Sequence, residues 1–270
     1  RFLQSEGVST DTRNIFPNCI FFALKGESFD GNTFALQALE NGASFAVIDN
    51  ATLAQQDERL ILVDNVLKSL QELANHHRLQ FDIPVIGITG SNGKTTTKEL
   101  IAAVLTQKYN ILYTKGNLNN HIGVPLTLLM LKPEHEIAVI EMGANHFGDI
   151  KELCDIALPT HGIITNIGKA HLEGFKNFEG VLKTKKELYD CVSKNKGVLF
   201  YNQDDEVLTS ILPNIRIHSY GQNHAETIGQ LIQLTPFVEF HYSIDQYTSP
   251  TLSTHIVGEY NFYNFLAAIS

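Results

Sequence analysis

Hydrophobic and polar positions change rhythm once along the chain. Over the first eighty residues, apolar runs at 19–24, 45–48 and 60–63 alternate with stretches of helical period, which predicts a small α/β unit. Phe34, Ala38 and Leu39 share one helical face, with Gly42 placed as a C-cap. Val66, Leu70, Leu73, Ala74 and Leu79 form a second amphipathic helix that ends before Phe81-Asp82-Ile83-Pro84. The proline biases its predecessor toward extended backbone, so a boundary near residue 82 separates domains 1–82 and 83–270.

Beyond it the texture becomes buried strand, Gly or polar turn, helix, repeated. Strands are predicted at 85–89, 137–142, 162–165 and 198–201, and helices at 94–108, 149–157, 178–192 and 206–212. That succession is the mark of an α/β fold, here a mostly parallel sheet flanked by helices. The alternation in Phe237-Val238-Glu239-Phe240-His241-Tyr242 predicts antiparallel edge strands within 217–256, and an apolar helix starts at Asn261.

Composition narrows the class. The 270 residues are 43% hydrophobic and 18% charged with 19 Gly and 8 Pro, which excludes collagen-like, disordered and coiled-coil chains. Twenty Lys and Arg against 29 Asp and Glu leave a net charge of −9, which disfavours a nucleic-acid footprint while allowing one basic pocket. Cys19, Cys154 and Cys191 form no CxxC pair, fitting a reduced, cytoplasmic compartment. No run approaches the ~18 apolar residues of a membrane helix. The first residues carry neither an apolar signal core nor an initiator Met, so a fragment or processed product is expected, with no membrane insertion.

The chemistry concentrates at predicted strand ends. Gly87-Ile88-Thr89-Gly90-Ser91-Asn92-Gly93-Lys94-Thr95-Thr96-Thr97 lies between a buried strand and a helix, where backbone N–H groups and a helix N-terminus meet phosphate oxygens. Lys94 would reach the β- and γ-phosphates and the Thr95 hydroxyl a Mg²⁺ ion. Ile88 stands where the strict GxxxxGK[ST] spacing has Gly, so the loop is a variant. Glu141 closes a second buried strand; a metal ligand and a solvated strand-end carboxylate are equal readings there. A third strand runs into Asn166-Ile167-Gly168-Lys169-Ala170-His171-Leu172-Glu173, where His171 is a further metal candidate once it clusters with the other two ends. Lys183 and Lys186 read as a solvated helix face.

These residues resemble the ATP-dependent Mur ligases of peptidoglycan synthesis, and within them the branch that joins D-alanyl-D-alanine to UDP-N-acetylmuramoyl-tripeptide. The segments that carry the resemblance early in the chain are Val8-Ser9-Thr10-Asp11-Thr12-Arg13, Phe21-Phe22-Ala23-Leu24-Lys25-Gly26 and Phe29-Asp30-Gly31. Later come the loop at 90–97, Lys115-Gly116-Asn117-Leu118-Asn119-Asn120-His121-Ile122-Gly123-Val124-Pro125-Leu126-Thr127, Glu141-Met142-Gly143-Ala144-Asn145-His146 and the stretch 165–173. The loop and Glu141 are general to the superfamily; the 117–125 and 142–146 segments resemble this branch.

The resemblance implies an N-terminal α/β substrate domain, a P-loop central domain and a further C-terminal Rossmann-like domain, so that the present residues alone would be inactive. It implies that Ser9, Thr10, Arg13, Lys25, Asp30 and Gly31 grip the UDP end. Gly90, Ser91, Asn92, Gly93, Lys94, Thr95 and Thr96 would serve ATP, and Thr95, Glu141 and His171 its Mg²⁺. Lys185, four residues before Tyr189, aligns with the lysine that is carbamylated in the family, a change from cation to anion that would help hold a second Mg²⁺. Asn119, Asn120, Asn145, His146 and Asn166 match segments around the substrate cleft. Asn261 matches a position beside adenine, although Tyr260 replaces the family's usual His. Catalysis would rest on Lys94, Glu141, His171 and Lys185, through an acyl phosphate, in a cytoplasmic monomer.

Two other readings stay open: another amide ligase of the superfamily, of the MurE or folylpolyglutamate synthetase type, and a non-catalytic P-loop switch. The absence of an Asn-Lys-x-Asp base-reading motif and the presence of a dedicated first domain weigh against the switch.

Overall fold

A computed structural model of the chain describes residues 1–168, 175 and 177–270. It divides into two compact units, Arg1–Gln80 with Leu128–Met130, and Phe81–Thr127 with Leu131–Ser270.

In the first unit, β1 (Val8–Ser9), β2 (Ile20–Phe22), β3 (Phe45–Ile48) and β4 (Leu60–Leu62) form a parallel sheet in chain order. All three residues of β2 are buried, so the strand is apolar throughout rather than alternating. One face packs Phe21 and Ala23 on Ala35, Ala38 and Leu39 of α1 (Ala35–Glu40). Phe34, expected on that face, is 40% exposed because the helix begins one residue after it. Gly42 follows α1 with φ of +111°, a left-handed conformation that favours glycine. In α2 (Val66–Arg78), Asn65 caps the first turn by accepting from the Lys68 N–H at 2.8 Å, and Val66, Leu70 and Ala74 are buried. Leu79 lies past the last turn and is 60% exposed, not part of the apolar face.

The second unit is built on β5 (Val85–Thr89), β6 (Ile111–Tyr113), β7 (Ile137–Glu141), β8 (His161–Ile164), β9 (Val198–Asn202) and β10 (Arg216–Gly221), which run parallel in the order β6-β7-β5-β8-β9-β10. The sheet continues through β11 (Thr227–Gln233) to β12 (Glu239–Ile244), with β13 (Tyr247–Thr248) and β14 (Leu252–Ser253) paired to β12. Antiparallel pairing begins only at β11 and β12; β10, placed by its sequence among the antiparallel strands, is parallel to both its neighbours.

Three layers result. Ile88 of β5 packs with Ile101 and Ala102 of α3 (Lys94–Leu105). α4 (Gly123–Leu128) starts on Asn120, whose side chain accepts from the Ile122 and Gly123 N–H groups. Pro125 sits in its first turn, where a missing N–H leaves no helical bond unmade. On the opposite face of β5, Gly87 pairs in register with Gly162 of β8, and a Cβ on Gly87 would meet Leu188 Cδ1 at 2.9 Å. That bare backbone seats α6 (Phe178–Lys194), which packs beside α5 (Asp149–Ala157). After the short α7 (Glu206–Ser210), α8 (Glu259–Ile269) closes the α3 side by packing Phe262 and Leu266 with Tyr220 and Phe240. Among the described residues, no helix is long and apolar enough to cross a membrane.

At Gly229 of β11 an added Cβ would stand 2.6 Å from Leu266 Cδ2 and 2.7 Å from Phe262 Cζ. Gly229→Ala is expected to destabilise the fold by about 1–3 kcal/mol in urea denaturation. Combined with Leu266→Ala it should cost less than the sum of the single changes; additive losses would show that α8 is not seated this tightly on β11.

Candidate active site

β5, between β7 and β8, ends in the glycine-rich turn, and the three carboxyl ends meet where an open α/β sheet binds ligands. Gly90 takes φ of +150°, and a Cβ there would stand 1.9 Å from Thr165 Oγ1. Gly93 takes φ of +79° and caps α3. The loop is braced from β8: the Ser91 N–H donates to the Asn166 carbonyl at 3.0 Å, the Asn92 N–H to Asn166 Oδ1 at 3.1 Å, and Asn166 Nδ2 and Thr165 Oγ1 both donate to the Asn92 carbonyl. The Gly93, Lys94, Thr95 and Thr96 N–H groups have no acceptor among the described residues. The N–H groups open to an anion are therefore those at the start of α3, while the Ser91 and Asn92 N–H groups already serve Asn166.

Lys94 Nζ folds back to donate to the Gly90 carbonyl at 2.8 Å and the Ser91 carbonyl at 3.3 Å. Burial pushes its ammonium below the ordinary lysine range, and the Glu141 carboxylate opposes that shift. Glu141 is itself 1% exposed. Its Oε1 accepts from Thr95 Oγ1 at 3.0 Å and Asn119 Nδ2 at 2.8 Å, and its main-chain N–H donates to Thr114 Oγ1. Burial in this network sets aside the reading of Glu141 as a solvated strand end. Its Oε2 is enclosed and makes no hydrogen bond among the described residues. A hydroxyl and an orphaned carboxylate oxygen suit Mg²⁺, which takes oxygen donors and keeps several waters or phosphate oxygens. Among the described residues no three His, Cys, Asp or Glu side chains gather around a metal position, so such an ion would draw its other ligands from those sources.

α6 brings Lys185 to the same neighbourhood. It is 3% exposed, its Nζ lies 5.8 Å from the centre of the Phe175 ring, and its pKa falls to about 8. Burial is the main cause and repulsion by Lys94 the second, with Asp149 and Glu187 pulling the other way. Lys183 pairs with Glu179, and Lys186 with Asp190, one turn away on the helix surface. Glu187 joins α6 to α5: its two oxygens accept from the Gly148 and Lys151 N–H groups at 2.9 and 2.8 Å. Asp149 Oδ2 accepts from the Asn145 and His146 N–H groups, so this segment is fixed by its backbone while the His146 side chain is 74% exposed.

Other expected positions are distributed more widely. Asn261 is buried, donates to the Val257 carbonyl and accepts from Asn264 Nδ2, and Asn264 Oδ1 accepts from Thr97 Oγ1 of α3. In the first unit, Ser9 closes β1, and Lys25 and Asp49 follow the carboxyl ends of β2 and β3. Lys25 Nζ lies 2.7 Å from Asp49 Oδ1, and Asn32 donates to both Asp30 and Asp49. Gly31 lies so close to the Leu24 carbonyl that a Cβ would meet it at 2.4 Å. Asp11 grips the exposed Arg13, whose guanidinium holds its carboxyl down to about 2; Thr10 is half-buried beside them in sequence. His171 lies outside the described residues.

Residues 4–78 match the profile of the Mur ligase family, catalytic domain, and residues 88–270 that of the Mur ligase middle domain. The chain belongs to the Mur ligase family. Its residues are 46% identical over 99% of the chain to the UDP-N-acetylmuramoyl-tripeptide–D-alanyl-D-alanine ligase of Synechocystis sp. and 39% identical over 98% to that of Bacillus subtilis, covering 58% and 57% of those proteins. Among solved structures, MurF from Acinetobacter baumannii superposes with a TM-score of 0.89 at 34% identity, over 98% of this chain and 58% of that one. The MurF ligase of Thermotoga maritima, in complex with ADP, gives 0.87 at 29% identity, over 99% and 62%. This Mur ligase chain thus spans a little under three-fifths of the length of the curated relatives named here.

Sequence reasoning passed over Asp49, Thr114 and Glu187. Asp49 follows an apolar strand as Glu141 closes one, so the same strand-end argument applies to it; Thr114 and Glu187 act through contacts that only the fold creates.

A lysine whose folded pKa lies below its unfolded value binds fewer protons in the native state between the two, so stability rises with pH through that window. With Lys185 at about 8 and an unfolded lysine at about 10.4, stability should climb between those values, and Lys185→Met should remove that part of the climb. Titration of ε-¹³C-lysine by NMR should show one lysine near pH 8; a Lys185 signal titrating like a free lysine would contradict the burial argument.

Proposed function

We propose that this chain works in an ATP-dependent ligase that joins D-alanyl-D-alanine to the terminal carboxylate of UDP-N-acetylmuramoyl-tripeptide, in the cytoplasm and as a monomer. The observation that carries this reading is the convergence of Lys94, Thr95 and Glu141 at the ends of β5 and β7, with Thr95 Oγ1 3.0 Å from the buried Glu141 Oε1. The names of the relatives support the choice of substrates.

A carboxylate and an amine condense usefully only after the carboxylate oxygen becomes a leaving group. Attack of the tripeptide carboxylate on the γ-phosphorus forms a C–O–P link and releases ADP. The amine of D-alanyl-D-alanine then adds to the acyl carbon, and the tetrahedral intermediate expels phosphate as the amine loses its proton. The N–H groups at the start of α3 cradle the phosphates. Lys94 exchanges the Gly90 and Ser91 carbonyls for phosphate oxygens, so its charge moves from the loop to the group in flight. Thr95 and Glu141 would hold Mg²⁺, which would supply positive charge against the phosphate oxygens. His171 joins that set on resemblance alone.

The low pKa of Lys185 leaves an appreciable fraction of free amine near neutrality. That amine adds to CO₂ with loss of a proton, giving a carbamate anion suited to a second Mg²⁺. Asn166 and Thr165 hold the loop in shape, and Asn119 aims Glu141. Ser9, Thr10, Arg13, Lys25, Asp30 and Gly31 grip the UDP end. Asn120, Asn145 and His146 line the approach of the peptide, and Asn261 supports the adenine side through Asn264 and α3. Domains 1–82 and 83–270 divide these tasks between nucleotide-sugar and ATP.

In the full-length enzyme, Lys94→Ala should lower ligation, followed as phosphate release requiring both substrates, by roughly 10³-fold or more while UDP-substrate binding persists. Retained turnover would remove the phosphate role. Lys185→Ala should lose activity that short-chain carboxylates restore in part; a fully active variant would eliminate the carbamate.

A further inference from the structure

Lys98 lies one helical turn beyond Lys94, and its side chain is completely buried. Its Nζ stands 2.9 Å from Glu99 Oε1, without hydrogen-bond geometry, and 3.8 Å from Glu141 Oε2. Neither Nζ nor Oε2 makes a hydrogen bond among the described residues. Enclosing an ammonium is strongly unfavourable unless opposite charge compensates it. Glu141 and Glu99 are the carboxylates within ion-pair distance, and the Glu99 side chain is half exposed, so its attraction is screened. Lys98 cannot itself meet a phosphate or substrate, because no part of its side chain reaches solvent.

The division of labour at Glu141 is the telling feature. Oε1 is saturated by Thr95 and Asn119, whereas Oε2 faces the ammonium across a gap longer than the 2.7–2.9 Å of a charge-assisted hydrogen bond. Charge is balanced while a lone pair stays available.

We propose that Lys98 is a positioning residue, the resident counter-charge of Glu141. Without metal it neutralises and aims the carboxylate. With metal it repels the incoming divalent ion enough that tight binding waits for the phosphate oxygens of the nucleotide. This inference rests on the reading of Thr95 and Glu141 as a Mg²⁺ site. A unit charge about 6 Å from a divalent ion alters its affinity by about tenfold even at the dielectric constant of water.

The test is Lys98→Met in the full-length enzyme, titrated with Mn²⁺ while the free ion is followed by EPR, with and without a non-hydrolysable ATP analogue. The variant should bind Mn²⁺ about tenfold more tightly without nucleotide, and the gain in affinity on adding nucleotide should shrink. Lys98→Arg should titrate like the unmodified enzyme. Melting of Lys98→Met should fall in EDTA and recover in Mg²⁺ by more than the unmodified enzyme gains. Unchanged Mn²⁺ affinity, with equal thermal loss in EDTA and Mg²⁺, would overturn the proposal and leave Lys98 a packing residue. If Lys98→Met does not fold, Lys98→Met with Glu141→Gln should restore folding, and failure to restore it overturns the charge pairing. An unmodified enzyme that binds no Mn²⁺ even with the analogue would overturn the metal reading of Thr95 and Glu141 and this inference together; normal binding there with an unaltered Lys98→Met rejects Lys98 alone.

Discussion

Glu141 is a carboxylate with almost no access to water at the end of a central strand, and the arrangement around it answers to that constraint. A buried carboxylate must be supplied with donors or opposite charge. Thr95 supplies one donor from α3 and Asn119 another from the loop after β6; Thr114 receives the main-chain N–H of the same residue. Each partner belongs to a different stretch of chain. Satisfying one side chain thus fixes the start of α3, the approach to α4 and the end of β7 against each other, and Lys98 adds charge beneath them.

The glycine-rich loop is held by a second set of contacts that leave its useful face open. Asn166 and Thr165 take up the polar groups of Ser91 and Asn92, so the left-handed turns at Gly90 and Gly93 are held from outside the loop. Backbone held this way loses little further freedom when an anion arrives, which is the physical content of preorganisation. Lys94 rests on carbonyls of its own loop, neutral and local partners that its ammonium can leave without disturbing the surrounding network.

Much of this was legible in the residues because the central strands are buried on both faces. β5 and β7 read as continuous apolar runs, and the glycine and lysine spacing after β5 announces its own chemistry. What escaped was short or depended on long-range contact. β1 and β6 contain two and three residues, too few to show a period. α4 is hidden by Pro125, which is harmless only in a first turn. The direction of β10 is set by pairing with β9, not by its own pattern. Nothing in the sequence singles out Lys98 within the helix after the loop until the fold encloses it beside β7, and Phe34 and Leu79 fall outside their helices by one position at an end. The bracing role of Asn166 is likewise invisible without the loop it holds.

The hydrogen bond from Thr97 to Asn264 joins residues 167 positions apart, and it lies one turn into the helix that begins with Lys94. Closing so long a chain segment is slow relative to local helix formation. During synthesis, β5, the loop and α3 are complete long before α8 exists, so their apolar face toward α8 waits uncovered while more than 150 further residues are added. The turn after β5 and the start of α3 therefore gain their packing against α8 well after their own local structure can form.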